Sequence, residues 1–278
     1  MSRSERGSAY EIEPKNRFAD AIISVTYEFR PANTVTFLCD VDLTEVEELR
    51  GARGLPRKRS YTAFVVKAIA LALKEFPYAN RRVCRLSWIP FSVARLQTFL
   101  RCDVAVAIER HVAGAESVAF IDVLRDADEL SLDSITMRLH ELAVSDSSTN
   151  KQWRDFSAVI SRYPNWISTL LIRLPLFFPS LWVKYRGGAA LVSSPAKYGA
   201  HGVLGTWSHP LGVSFGLAEP RPVVREGKIV ACPTFSLTLN FDRRVMAGAQ
   251  AARFLRRVVE LLEHATTEMD RSPADRIA

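Results

Sequence analysis

Residues 238 to 255 read TLNFDRRVMAGAQAARFL, and the period changes halfway along. Leu239 and Phe241 alternate with polar neighbours as a half-buried strand does, whereas Ala251 and Leu255 repeat at helical spacing. Between them Asp242, Arg243 and Arg244 run through Ala247 to Gly248. A strand that turns directly into a helix presents side chains at the end of a sheet, which is where α/β folds place reactive groups. Here, however, no residue of the turn exchanges a proton near neutral pH. Arginine stays protonated and Ala247 has no polar atom.

The flanking sequence extends this strand into a sheet. LGVSFGLA (211 to 218) alternates Leu211, Val213, Phe215 and Leu217, and a turn at Glu226-Gly227 precedes the apolar runs KIVACP and TFSLTLNF. An antiparallel meander ending at the turn is expected. TVTFLCDVD (34 to 42) and CDVAVAIER (102 to 110) supply two more strands. Helices are expected after Ser60, with Val66, Ile69, Ala70 and Leu73 on one stripe, and over SLDSITMRLHELA with Leu132, Ile135, Leu139 and Leu142. A third carries Ala251, Leu255, Val258 and Leu262. Helices alternating with strands joined by short turns point to a layered α/β sandwich with a mixed sheet. A single domain over 1–278 is expected, with a polar tail at about 1–15 and a mobile crossing at about 145–165, where SDSSTNKQ interrupts the apolar pattern.

The chain has 278 residues, 48% of them hydrophobic, which is ample for a buried core. Its net charge of +7 favours anionic ligands. The Lys and Arg residues are scattered, with modest clusters at 53 to 59 and 81 to 85. No aromatic-basic interleaving accompanies them, so solvated faces are expected and nucleic-acid binding is not. The cysteines (Cys39, Cys84, Cys102, Cys232) lack metal-ligand spacing and read as reduced residues of a cytoplasmic protein without a metal site. The most apolar stretch, WISTLLIRLPLFFPSLWVKY (166 to 185), has Arg173 near its middle and is broken by Pro175 and Pro179. A hairpin of short helices is expected, not a membrane span. It could be core, a lid over an apolar pocket, a subunit contact or a membrane-surface patch.

Phosphate loops, dinucleotide-binding turns, zinc-protease helices and nucleophile elbows are absent from the sequence. Of the five histidines, His140 and His264 fall on charged helical faces and His111 in a loop. His201 and His209, in YGAHGVLGTWSHPLG, are the two expected to face a site. SYTAFVVKAIALALKEFPYAN, DVAVAIER and GKIVACPTFSLTLNFDRRVMAGAQAARFLRRVVELLE together resemble the catalytic domain of the dihydrolipoamide acyltransferases of 2-oxo-acid dehydrogenase complexes, relatives of chloramphenicol acetyltransferase. The resemblance spans residues from about 30 to the C-terminal helix, and no lipoyl or peripheral-subunit-binding segment is recognised before it. It implies a two-layer α/β sandwich of the chloramphenicol acetyltransferase type that forms homotrimers. Each active site then lies in a channel between subunits, entered by coenzyme A from one end and the acyl acceptor from the other.

The family's signature is Asp-His-Arg-x-x-Asp-Gly, its His acting as general base and its second Asp shaping the loop. In this chain Asp242, Arg244 and Gly248 match, but Arg243 stands at the His position and Ala247 at the second Asp. A guanidinium with a pKa above about 12 accepts no proton at neutral pH, so the usual mechanism is not available. ALVSSPAKYG matches the segment whose hydroxyl stabilises the oxyanion; Ser193 holds that place, with turn capping the alternative. His209 is the candidate substitute base, or a loop His held by backbone. Three functions follow as expectations: acyl transfer from coenzyme A or a carrier thioester to a small acceptor in specialised metabolism, an inactive relative serving as a binding or assembly trimer, or a channel given to a different reaction under cationic Arg243.

Overall fold

In a computed structural model, the protein is described over residues 33–51, 57–84, 95–111, 117–146 and 148–269. The polar tail at about 1–15 lies outside the described residues, as do Arg53 and Arg85 of the two basic clusters.

The strands are β1 (Thr34–Asp42), β2 (Arg81–Cys84), β3 (Arg95–Thr98), β4 (Val104–Arg110), β5 (Val118–Leu124), β6 (Ala190–Ser193), β7 (Leu211–Phe215), β8 (Glu219–Arg225) and β9 (Lys228–Asp242). Seven form a mixed sheet ordered β1-β9-β7-β6-β4-β5, with β8 on β9, while β2 and β3 make a separate ribbon. The pairs β4–β6 and β6–β7 are parallel and the others antiparallel. Where the sequence shows two apolar runs the structure has one 15-residue strand, β9. Its first half pairs with β8 through the two-residue loop Glu226-Gly227, both at positive φ, as a primed hairpin turn requires. Pro220 faces Pro233 in that pairing. Pro233 turns its carbonyl away from β8, toward the Leu43 N–H at 2.8 Å.

Helices cover one face of the sheet. Helix α1 (Thr44–Gly51) follows β1, and α2 (Tyr61–Glu75) starts at the N-cap Ser60, whose hydroxyl accepts the Ala63 N–H. Every residue of α2 from Ala63 to Leu73 is buried, more than the single stripe expected, because α2 packs between the sheet, α3 (Leu132–Val144) and α7 (Gly248–Glu263). The α7 stripe of Ala251, Phe254, Leu255, Val258, Leu261 and Leu262 closes the core, and the four-residue α8 (Ala265–Glu268) follows.

The expected crossing at about 145–165 is occupied by a helix, α4 (Lys151–Arg162). Its polarity is one-sided: Trp153 and Ile160 are buried while the opposite face carries the charges that mimic a linker. Asn150 caps it by accepting the Trp153 N–H at 2.9 Å and donates to Asp122 Oδ1 at 2.9 Å. Asp122 in turn pairs with buried Arg110 at 2.6 Å. The apolar stretch forms two short helices, α5 (Asn165–Phe177) and α6 (Pro179–Arg186), meeting at 105°. Pro175 lies inside α5 and Pro179 opens α6. No single helix among the described residues is long and apolar enough to cross a membrane. Together α4, α5, α6 and β5 enclose an apolar cavity of about 290 Å³, lined by Phe120, Phe156, Val159, Leu171, Ile172 and Leu181 among others.

Candidate active site

At the end of β9 the chain turns through Asp242 to Met246 and enters α7. Arg244 folds back on Asp242, donating from Nε at 3.0 Å and from Nη2 at 2.6 Å, and the Arg244 N–H donates to the same carboxylate at 2.9 Å. The bonded carboxylate raises the guanidinium pKa further. Arg243 is exposed, and its N–H donates to the Asn33 carbonyl at 2.8 Å. Ala247 is the N-cap of α7 and offers no acceptor; Gln250 supplies half of a capping box by accepting the Ala247 N–H at 2.9 Å. Gly248 has open space where a side chain would go and no positive φ, so the fold here does not require glycine.

Beside this turn lies a cavity of about 620 Å³ bounded by the start of β1, β2, the junction of α5 with α6, and the 207–210 loop. Asp242 and Arg244 line it, together with Arg82, Arg173, Trp182 and His209. Its floor is fixed by Asn240, whose amide donates to Thr36 and to the Gly205 carbonyl while its oxygen accepts the Trp207 indole N–H at 2.8 Å. Trp207 lies so close against Gly212 that any Cβ there would strike the indole. The glycine thus sets the floor's depth.

Arg82 is 3% exposed. Its Nε donates to Gln97 Oε1 at 2.7 Å, Nη1 to the Leu176 carbonyl at 3.3 Å and Nη2 to Cys84 Sγ at 3.5 Å. The guanidinium stacks 4.3 Å from the Trp182 ring centroid, and Trp182 is held by its own N–H bond to the Gly188 carbonyl at 3.1 Å. Burial lowers the Arg82 pKa. In the sequence Arg82 sits in the basic cluster at 81 to 85, where a solvated face is expected. Only Arg82 is buried in this four-residue strand while Arg81, Val83 and Cys84 are half-buried, so no alternation marks it in the sequence.

His209 lines the same cavity but is 4% exposed, tilted 5.2 Å from Trp182. Its Nε2 lies 2.9 Å from the Arg186 carbonyl and its Nδ1 3.1 Å from Ser208 Oγ. The carbonyl requires Nε2–H, leaving Nδ1 to accept from the hydroxyl. Burial drives its pKa down to about 3. Both nitrogens are thus committed, and the ring is neutral with little affinity for a proton. His201 is exposed beside Arg221 and Glu219; His111, bonded to Ser117, and His140 and His264 are exposed too.

Ser193 is not in this cavity. It ends β6 and pairs with Ser214, which pairs with Thr238, four residues before Asp242 on β9. The turn sits at the level of Leu211 and Ala190, the opposite ends of β7 and β6. One chain therefore holds Ser193 four residues along the sheet from Asp242 and on the side of β7 away from β9. Ser193 faces a separate cavity of about 330 Å³ with Lys58, Ser60, Thr62, Thr136 and His140. The turn-capping role belongs to the next residue: Ser194 Oγ donates to the Phe215 carbonyl at 2.7 Å and accepts the Ala196 N–H. Burial pushes the Cys39 thiol up to about 11 and the Cys102 thiol up to about 12, so neither is activated. Among the described residues no group of His, Cys, Asp or Glu is arranged to hold a metal ion.

A sequence model of the 2-oxoacid dehydrogenases acyltransferase (catalytic domain) matches residues 15–158 and 186–269. The unmatched segment, 159–185, is the end of α4, all of α5 and nearly all of α6. The chain is 26% identical over 207 residues to the lipoamide acyltransferase component of the branched-chain alpha-keto acid dehydrogenase complex of Bacillus subtilis, covering 73% of this chain and 39% of that protein. The chain spans less than half the length of the curated relatives it matches. In structure it is similar to the cubic core of the pyruvate dehydrogenase multienzyme complex, with a TM-score of 0.65, 20% identity and 95% of each chain covered. The dihydrolipoamide acetyltransferase of Azotobacter vinelandii superposes with a TM-score of 0.64 at the same identity and coverage.

Proposed function

The chain belongs to the family of 2-oxoacid dehydrogenase acyltransferase catalytic domains, and from that premise we propose that it moves an acyl group from a thioester such as acyl-coenzyme A to a thiol acceptor, without a general base. The carrying observation is Arg243, an exposed guanidinium in the catalytic turn where the family has its imidazole. A fixed cation lowers a nearby thiol's pKa and stabilises its thiolate. The acceptor proton leaves to solvent and the thiolate sulfur attacks the thioester carbonyl. The tetrahedral oxyanion forms, and the carbon–sulfur bond to the donor breaks to release the donor sulfur as a thiolate. One thiolate enters and one leaves, so the cycle needs no proton acceptor in the protein. A hydroxyl or amine acceptor would need one. Ser193 is the oxyanion donor, and because within one chain it lines a cavity separate from the turn, a neighbouring copy in a trimer supplies it to each turn.

Acyl exchange between acetyl-coenzyme A and dihydrolipoamide tests this. The rate of the wild type rises with pH and levels off near the thiol pKa, instead of tracing a histidine profile. Arg243→Met and Ser193→Ala each lower it about 10²-fold, the effect of removing one electrostatic partner. A wild-type rate equal to the uncatalysed background sinks the proposal. The exposure of Arg243 outside the large cavity favours a second reading, a catalytically silent trimer. Activity found only in Arg243→His/Ala247→Asp would establish it.

A further inference from the structure

We propose that the 620 Å³ cavity is a carboxylate-binding site in which Arg82 receives the acid group of a small organic ligand. Three arginines and one aspartate line the cavity, and the aspartate is already clamped by Arg244. Among the described residues Arg82 has no carboxylate partner. A guanidinium offers five N–H donors; its Nε–H goes to Gln97, one Nη1–H to Leu176 and one Nη2–H to Cys84. One N–H on each terminal nitrogen is left. Two such donors in one plane match the two oxygens of a carboxylate. Trp182 on the guanidinium face and the contacts to Gln97 and Leu176 hold the fork in place, so little side-chain entropy remains to be lost on binding.

The walls indicate what the carboxylate is attached to. Val83, Leu176 and Phe177 line the cavity among the polar side chains of Asn33, Thr34 and Ser208, a mixed lining that suits a carboxylate carried on a short chain. Arg173, Leu176, Phe177 and Trp182 come from the segment that the family model leaves unmatched, whereas Arg82 lies inside the matched residues. The site does not depend on the acyl-transfer reading, because binding is measured without turnover.

The full-length protein in its native assembly is titrated calorimetrically at pH 7 with succinate, with the neutral succinamide and with inorganic phosphate. Succinate binds saturably, succinamide does not, and phosphate binds more weakly than succinate. Arg82→Met loses about tenfold or more in succinate affinity and Arg82→Lys, which keeps the charge without the fork, falls between them. Absence of saturable succinate binding to the wild type, equal binding of succinamide, tighter binding of phosphate, or unchanged affinity in Arg82→Met each overturns the proposal. Should both variants unfold, phenylglyoxal labelling of the wild type is read by peptide mass: succinate protects Arg82, and a lack of protection overturns the site.

Discussion

Ala247 begins α7 with extended backbone, φ −76° and ψ 161°, yet has no side-chain acceptor for the amides of the first turn. An aspartate there would accept one of them and place its charge at the positive end of the helix. Ala247→Asp is expected to raise stability by about 1 kcal/mol, or about 2–4 °C in Tm for a chain of this size, measured by thermal unfolding and independent of activity. His209 gives the opposite kind of test. Its folded pKa is depressed to about 3 from the ordinary 6.5, so below 6.5 the unfolded chain takes up a proton that the folded chain refuses. Stability is full above that pH and falls by about 1.4 kcal/mol per unit as pH drops toward 3. Denaturant titrations from pH 7 to 4 should show this slope, and His209→Gln should flatten it. Such residues differ in how far sequence reveals them. Asp242, Arg243 and Ala247 are legible as a group because they fall in one contiguous run between a strand and a helix. Arg82 and Trp182 meet only through folding, and no local pattern joins positions a hundred residues apart.

Helices with a strong apolar period are legible to within a residue or two: α2 after Ser60, α3 and α7 all lie where periodicity puts them. Helix α4 is not, because only Trp153 and Ile160 of its 12 residues are buried and the preceding serines read as a linker. What holds it is polar. Asn150 both caps α4 and donates to Asp122, itself paired with Arg110 in the sheet. Asn150→Ala removes the cap and leaves a buried carboxylate oxygen short of a donor, an expected loss of about 2–3 kcal/mol. Hydrogen exchange should quicken first in α4 and then in α5 and α6, which pack on it. The α5–α6 pair was legible as broken helices from its two prolines. That it walls two cavities, the apolar one on one side and the arginine-lined one on the other, follows from the 105° bend and was not.

The layered sheet-and-helix architecture was readable from alternation and short turns, but strand order was not, since β6 inserts between β4 and β7 through contacts distant in sequence. The separation of Ser193 from the Arg243 turn predicts that the working unit is larger than one chain. Sedimentation is expected to give three times the 31.1 kDa chain mass, and a monomer at micromolar concentration would contradict the shared site. The β8–β9 hairpin bears on how such copies meet. Because Pro233 directs its carbonyl toward Leu43, the Pro220–Pro233 pair is a non-hydrogen-bonded one, and Pro220 and Pro222 turn their missing N–H positions outward along the free edge of β8. A strand from another molecule laid against that edge would find two of its carbonyls without donors. Beside Val224 and Ile229, exposed by 69% and 78%, the two prolines guard this edge against strand-by-strand polymerisation.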